Sequence, residues 1–95
     1  MNKDEILGFL AKNKNEMERR FSVRRIGLFG SFVRGNQYAK SDVDILVEFE
    51  DPTFDNYMDL KFFLEEHIGR PVDLVLADSL KPRLRNLIAK EATYA

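Results

Sequence analysis

Residues Gly27–Phe49, GLFGSFVRGNQYAKSDVDILVEF, join two apolar segments through a polar loop. The first segment ends at Gly30-Ser31, and the second opens with Asp42 and Asp44, which are one residue apart. Aspartate is depleted in β-strands, so two of them at the start of an apolar run need a physical reason. On a strand, both carboxylates would lie on one face, because successive side chains point to opposite faces.

A bound divalent cation would explain the two carboxylates. Like charges this close repel each other, whereas Mg²⁺ is readily held by one or two carboxylates together with phosphate oxygens. Asp73 lies in a further apolar segment, PVDLVL, and neighbouring parallel strands would place it on the same face as Asp42 and Asp44. Three carboxylates can hold two ions that promote transfer at a phosphate, with Asp73 as the candidate to accept a proton. The alternative is structural, since Asp-x-Asp also occurs in surface loops and a single aspartate can end a strand.

The Gly30-Ser31 turn fits phosphate binding. Glycine lets the backbone approach phosphate oxygens, the serine hydroxyl can donate a hydrogen bond, and a helical turn from Phe32 would direct free N–H groups at the anion. Arg34 is placed to pair with a phosphate or with one of the aspartates, and Tyr38 is placed to stack on a base. Each residue also has an ordinary interpretation, as part of a simple turn, a solvated arginine or a loop tyrosine.

Residues 4–21 carry apolar side chains at helical spacing, with Asn2 and Glu5 as a capping pair at the start. The same reasoning predicts helices over residues 54–68 and 82–92 and strands over 25–29, 42–49 and 72–76. The strand–helix–strand unit over residues 42–76 predicts two parallel strands with a right-handed crossover, and the first strand can be antiparallel to the second. The expected fold class is α/β or α+β, a small mixed sheet packed against helices.

Length and composition limit the possible functions. The chain has 95 residues, which suits one domain over residues 1–95, and its 15 Lys and Arg against 16 Asp and Glu give no bulk attraction to nucleic acid. There is no cysteine and one histidine, His67, so a metal would need oxygen ligands. No apolar run approaches the roughly 20 residues of a membrane span, so we expect a cytoplasmic protein without membrane or direct nucleic-acid contact.

The order of these features resembles the nucleotidyltransferase superfamily of the DNA polymerase beta type. Its signature is Gly-Ser, ten residues, then Asp-x-Asp, and here Gly30-Ser31 is followed at that spacing by Asp42-Val43-Asp44. The longer stretches IGLFGSFVRG, SDVDILVEF and PVDLVLADSLKPRLRNLIAKEATYA resemble the minimal nucleotidyltransferase antitoxins of HEPN/MNT toxin–antitoxin systems. This second resemblance covers almost the whole chain. It implies a polymerase beta-type fold.

The resemblance also implies an activity. Asp42, Asp44 and Asp73 would hold Mg²⁺ and transfer AMP from ATP, while Gly30 and Ser31 would contact the phosphates. The acceptor would be a tyrosine of a cognate HEPN-domain ribonuclease toxin, which AMP transfer inactivates. Two alternatives stay open. One is an antitoxin that neutralises its toxin by binding alone, and the other is nucleotidyl transfer to a small molecule, for which related enzymes carry an additional helical domain.

Two further groups are candidates for contact with a partner. Lys81, Arg83 and Arg85 form a basic cluster at the start of the last predicted helix, which suits a phosphate, an acidic protein face or a solvated helix surface. Phe62 and Phe63 are adjacent on one predicted helix and cannot both point inward. One of them therefore marks an interface or the edge of the core.

Overall fold

The computed structural model describes residues 1–30, 33 and 42–95. In chain order the described elements are α1 (Lys3–Lys12), α2 (Lys14–Phe21), β1 (Val23–Phe29), β2 (Val43–Phe49), α3 (Phe54–Ile68), β3 (Val72–Leu76), a 3₁₀ turn (Ala77–Ser79), α4 (Pro82–Glu91) and β4 (Thr93–Tyr94). None of the helices in these ranges has the length and apolar character that crossing a bilayer requires. The fold is a mixed sheet with helices, which confirms the predicted class.

The strands form one sheet in the order β3-β2-β1-β4. β2 and β3 are parallel, so α3 between them is a crossover helix, and both β2 and β4 run antiparallel to β1. The predicted parallel and antiparallel pairings are therefore both confirmed. β4 runs parallel to β3 at the opposite edge of the sheet, and α4 connects these two edges.

Helix α1 begins with the predicted capping pair. The Asn2 side chain accepts a hydrogen bond from Glu5 N at 2.9 Å, and the Glu5 carboxylate accepts one from Asn2 N at 3.1 Å. The prediction of one helix over residues 4–21 is wrong, because the helix is interrupted at Asn13 (φ −102°, ψ 11°). The Asn13 side chain donates to the Phe9 carbonyl at 2.9 Å, and local bonds of this kind compete with a continuous helix.

Helix α3 has the predicted bounds at both ends. Thr53 caps it by accepting a first-turn backbone N–H at 3.1 Å, and Gly69 ends it in the left-handed conformation with φ +75°. Phe63 is 7% exposed, whereas its neighbour Phe62 is 58% exposed. This difference confirms that one of the two phenylalanines points away from the core.

Strand β3 has the predicted bounds, whereas β1 and β2 begin at other residues than predicted. β1 starts at Val23, two residues early, and β2 starts at Val43, so Asp42 precedes the strand instead of opening it. The partner strand β3 begins only after Pro71, which has no N–H to extend the ladder to Asp42. The sequence does not predict β4, because two residues, Thr93–Tyr94, are too few to show alternation.

One face of the sheet carries the main core. Alternate residues of β1, β2 and β3 point to this face, and α1, α2 and α3 cover it with apolar side chains. Its fully buried members include Ile6, Leu10, Met17, Leu28, Val43, Ile45, Leu60 and Leu64. The residues that alternate with them on the strands point to the opposite face, and these include Asp44 and Asp73.

Replacing Leu64 by alanine tests how α3 contributes to this core. Leu64 is 0% exposed, and truncating a buried leucine costs about 2–5 kcal/mol, so we expect the free energy of unfolding to fall by that amount in urea denaturation. Phe62→Ala is the matched control on the exposed side of the same helix, with an expected change within about 0.5 kcal/mol. Equal losses in the two variants would contradict the observed orientation of α3.

Candidate active site

Asp44 and Asp73 lie side by side on adjacent parallel strands. They are partners in the register of β2 and β3, which sets their backbones about 5 Å apart and directs both side chains to the same sheet face. Asp44 is partly buried and Asp73 is exposed. The structure therefore brings together two of the three carboxylates that the sequence selects.

Gly30 packs directly against the Asp44 carboxylate. It follows β1, whose last residue, Phe29, is paired with Asp44. A Cβ atom at Gly30 would lie 2.8 Å from Asp44 Cγ, and the residue has φ +75°, a conformation that favours glycine. The Gly30 carbonyl accepts a hydrogen bond from Val33 N at 3.1 Å, so the chain turns at this point. A side chain here would have to displace Asp44.

Asp42 lies immediately before β2 and is exposed. The next residue, Val43, donates its backbone N–H to the Pro71 carbonyl at 3.0 Å, which holds the start of β2 beside the segment that leads into β3. Asp42 is therefore at the same end of the sheet as Asp44 and Asp73. Because Asp42 is outside the strand, alternation does not assign its side chain to the face that the other two share.

Magnesium binding stays a prediction for these aspartates. Within residues 1–30, 33 and 42–95, no group of three or more His, Cys, Asp or Glu side chains is arranged to hold a metal ion. The chemistry of the donors fits Mg²⁺, because Asp44 and Asp73 offer hard carboxylate oxygens from neighbouring strand positions and Asp42 immediately precedes β2 at the same end of the sheet.

The predicted phosphate contacts of Ser31 and Arg34 lie outside the described residues, as does the predicted base contact of Tyr38. These three assignments stay predictions. Of the turn that is predicted to bind phosphate, the structure describes Gly30 and Val33.

The face that carries Asp44 continues toward β4 with residues that the sequence does not single out. The Tyr94 ring covers Gly27, since a Cβ atom there would lie 2.9 Å from Tyr94 Cδ1. The Arg25 guanidinium stacks on this ring, with Cζ 3.9 Å from its centroid, and approaches the Glu48 carboxylate at 3.6 Å. Alternation along β1 places Arg25 on this face, but the pairing of β4 that brings Tyr94 to it has no sequence signal.

The basic cluster at the start of α4 is divided between two roles. Arg85 donates to the Ala77 carbonyl at 3.1 Å and to the Leu80 carbonyl at 3.4 Å, so it ties α4 to the preceding turn. Lys81 and Arg83 are exposed. Arg85 therefore has a structural role that the sequence did not predict, whereas Lys81 and Arg83 are available at the surface.

A family model described as the nucleotidyltransferase domain matches residues 10–95, a range that contains Gly30 and all three aspartates. This chain belongs to the nucleotidyltransferase domain family. The match agrees with the resemblance that the Gly-Ser and Asp-x-Asp spacing indicated, and it extends over the whole sheet.

Similar proteins include the curated protein adenylyltransferase MntA of Thermococcus cleftensis, which is 44% identical over 92 residues, covering 96% of this nucleotidyltransferase and 93% of the relative. A solved structure, itself only provisionally assigned as a minimal nucleotidyltransferase, superposes with a TM-score of 0.79 at 33% identity, covering 98% of this chain and 95% of that one. The structure of a toxin–antitoxin with AMP-PNP superposes with a TM-score of 0.70 at 26% identity, covering 99% and 72%. These similarities confirm the predicted fold and family.

Proposed function

We propose that this nucleotidyltransferase is an antitoxin that transfers AMP from ATP to a tyrosine hydroxyl of a HEPN-domain toxin and so neutralises it. The observation that carries the proposal is the pairing of Asp44 with Asp73 at the strand end where Gly30 packs against Asp44. The similarity to protein adenylyltransferase MntA supports a protein as acceptor. The similarity to a toxin–antitoxin with AMP-PNP supports an adenine nucleotide and a toxin partner.

The proposed reaction exchanges one bond at the α-phosphorus for another. The acceptor oxygen bonds to the α-phosphorus of ATP, the bond from that phosphorus to the oxygen bridging to the β-phosphate breaks, and pyrophosphate leaves with the electron pair. The proton of the acceptor hydroxyl passes to the Asp73 carboxylate. Asp73 is exposed, so it can meet a hydroxyl that arrives on another protein and afterwards release the proton to water.

Asp42, Asp44 and Asp73 are the residues that would hold Mg²⁺. When bound, the ion supplies positive charge to the phosphate oxygens and favours ionisation of the acceptor hydroxyl. The chain's own contribution is to hold Asp44 and Asp73 on neighbouring strand positions before the substrate arrives. Such preorganisation avoids a cost in ordering the two carboxylates during the reaction.

The turn that begins at Gly30 would hold the triphosphate. Gly30 keeps the backbone close to Asp44, so phosphate oxygens bound at this turn would lie next to the carboxylates. In the proposal, the Ser31 hydroxyl donates a hydrogen bond to a phosphate oxygen and the Arg34 guanidinium forms a charge-assisted pair with one.

Intact-mass spectrometry of the toxin tests this function. A HEPN-domain toxin is incubated with ATP, Mg²⁺ and the wild-type nucleotidyltransferase. We expect its mass to rise in units of AMP, with peptide mapping placing the group on tyrosine, and we expect no change with the Asp42→Asn/Asp44→Asn variant. An ATP analogue with a methylene group between the α- and β-phosphates is the substrate control, because its bridge does not break.

Other outcomes would favour the alternatives. If the toxin gains no mass but forms a stable complex with both the wild type and the double variant, neutralisation by binding alone is favoured. If AMP is found on a small molecule with no toxin present, the small-molecule acceptor is favoured. Transfer that persists in the double variant would remove Asp42 and Asp44 from the proposed mechanism.

A further inference from the structure

Helix α4 buries none of its residues. Leu84 and Leu87 lie three residues apart on one side of the helix and are 47% and 59% exposed. Amphipathic helices normally bury their apolar stripe, so two exposed leucines on a helix without buried residues indicate an unpartnered surface. Lys81 and Arg83 complete a shallow groove of about 260 Å³ with these leucines. We call these four residues the α4 face.

The right-handed preference of crossover connections places α4 on the side of the sheet that carries Asp44 and Asp73. α3 crosses from β2 to β3, and α4 crosses in the opposite direction, from β3 to the parallel strand β4. Two right-handed crossovers in opposite directions lie on opposite faces of a sheet. The burial of Leu46 agrees with this placement. Leu46 points to the same sheet face as Asp44 and is 1% exposed, although it is not part of the core that α1, α2 and α3 cover.

Helix α4 also runs toward the strand end that holds the candidate active site. It starts beyond the far end of β3, after the 3₁₀ turn, and ends just before β4. Thr93 of β4 pairs with Leu28, and Leu28 pairs with Ile45, the residue after Asp44. A protein seated on α4 would therefore lie along the face of the sheet that leads to the carboxylates.

Charge restricts what can occupy the α4 face. The charged residues of segment 81–91 are Lys81, Arg83, Arg85 and Lys90, against Glu91. A two-fold contact between two copies through α4 would place basic residues against basic residues, which is unfavourable. The exposed side of α3 is acidic, with Asp55, Asp59 and Glu66. Contact of α4 with the acidic side of α3 in another copy would be head-to-tail, because α3 and α4 lie on opposite faces of the sheet. Such a contact would not close into a dimer.

We propose that the α4 face is the docking surface for the acceptor protein, which contributes an apolar ridge bordered by acidic residues. Leu84 and Leu87 provide the desolvated centre of the contact, and Lys81 and Arg83 attract the acidic border and set its orientation. Docking along this face brings the acceptor hydroxyl to Asp73. The inference rests on the proposed AMP transfer to a protein and adds the surface that recognises that protein.

Affinity measurements on the full chain test the docking surface. The HEPN-domain protein is titrated by calorimetry, without ATP, against wild type, Leu84→Asp/Leu87→Asp, Lys81→Glu/Arg83→Glu and Phe62→Asp. We expect the leucine variant to bind at least about tenfold more weakly, as for central contact residues, and the charge variant to lose affinity most at low salt. Phe62→Asp is the matched control, since Phe62 is 58% exposed on the opposite face, and its affinity should equal that of wild type.

The other possible results overturn either the docking surface or the proposed function. Unchanged affinity in both α4 variants would overturn the docking surface, even if the wild type still labels the toxin with AMP. A wild type that binds the toxin but adds no AMP would overturn the proposed function, while the affinity comparison still decides the surface. If light scattering shows that the wild type is a dimer and the leucine variant is a monomer, the α4 face binds a second copy, and the inference is overturned. If the leucine variant fails to fold by circular dichroism, the charge variant decides alone.

Discussion

Replacing Asp73 by asparagine is expected to lower the rate of AMP transfer by about 10²–10⁴-fold, the usual effect of removing a general base. Asparagine keeps the size of the side chain, but its amide does not accept the proton and is a weaker ligand for a cation. Asp73 is exposed on β3, so the variant should fold like the wild type. A large loss of rate with unchanged stability would assign the residue to the reaction.

Initial rates of AMP incorporation into the toxin, at saturating ATP and Mg²⁺, measure this effect, and thermal unfolding measures stability. Asp78→Asn is the matched control, because Asp78 is exposed in the 3₁₀ turn at the other end of β3. Its variant should transfer AMP at the wild-type rate. If Asp73→Asn does so as well, Asp73 is not the proton acceptor. If its rate recovers when Mg²⁺ is raised above the concentration that saturates the wild type, the loss comes from weaker ion binding and not from the missing proton acceptor.

The pairing of Asp44 with Asp73 could be predicted because it depends on sequence patterns within and between consecutive elements. Alternation fixes which face each carboxylate takes, and the strand–helix–strand order fixes the parallel pairing. Asp42 could not be placed in the same way. Its position depends on where the partner strand starts, and that start is set by Pro71, a residue 29 positions away that cannot extend the ladder.

The same distinction applies to the rest of the fold. The capping pair of Asn2 with Glu5 and the ends of α3 are local signals, and the structure confirms them. Strand β4 pairs with β1 at two positions only, and the paired residues are far apart in the chain, so no local pattern predicts the pairing. The exposure of α4 is likewise a property of the assembled molecule, because its apolar spacing alone predicts burial.

Replacing Gly30 by alanine is expected to lower AMP transfer by at least about 10²-fold, although it removes no functional group. The new Cβ would lie 2.8 Å from Asp44 Cγ, so the carboxylate has to move, and a displacement of about 1 Å at a reacting centre can cost this much in rate. The left-handed conformation at φ +75° adds about 1–2 kcal/mol of destabilisation for a residue with a Cβ.

Gly69→Ala separates these two effects. Gly69 ends α3 with the same φ of +75°, but a Cβ atom there would meet no atom within 4 Å. Both variants should therefore lose stability by the backbone penalty in urea denaturation, with a further loss in Gly30→Ala from the contact with Asp44, while only Gly30→Ala should lose transfer and bind ATP more weakly. If both variants keep the wild-type rate, the packing of Gly30 against Asp44 does not position the carboxylate for the reaction. Since the backbone penalty is shared, a loss of rate confined to Gly30→Ala comes from the surroundings of Gly30, where the Asp44 carboxylate is the group nearest to the new Cβ.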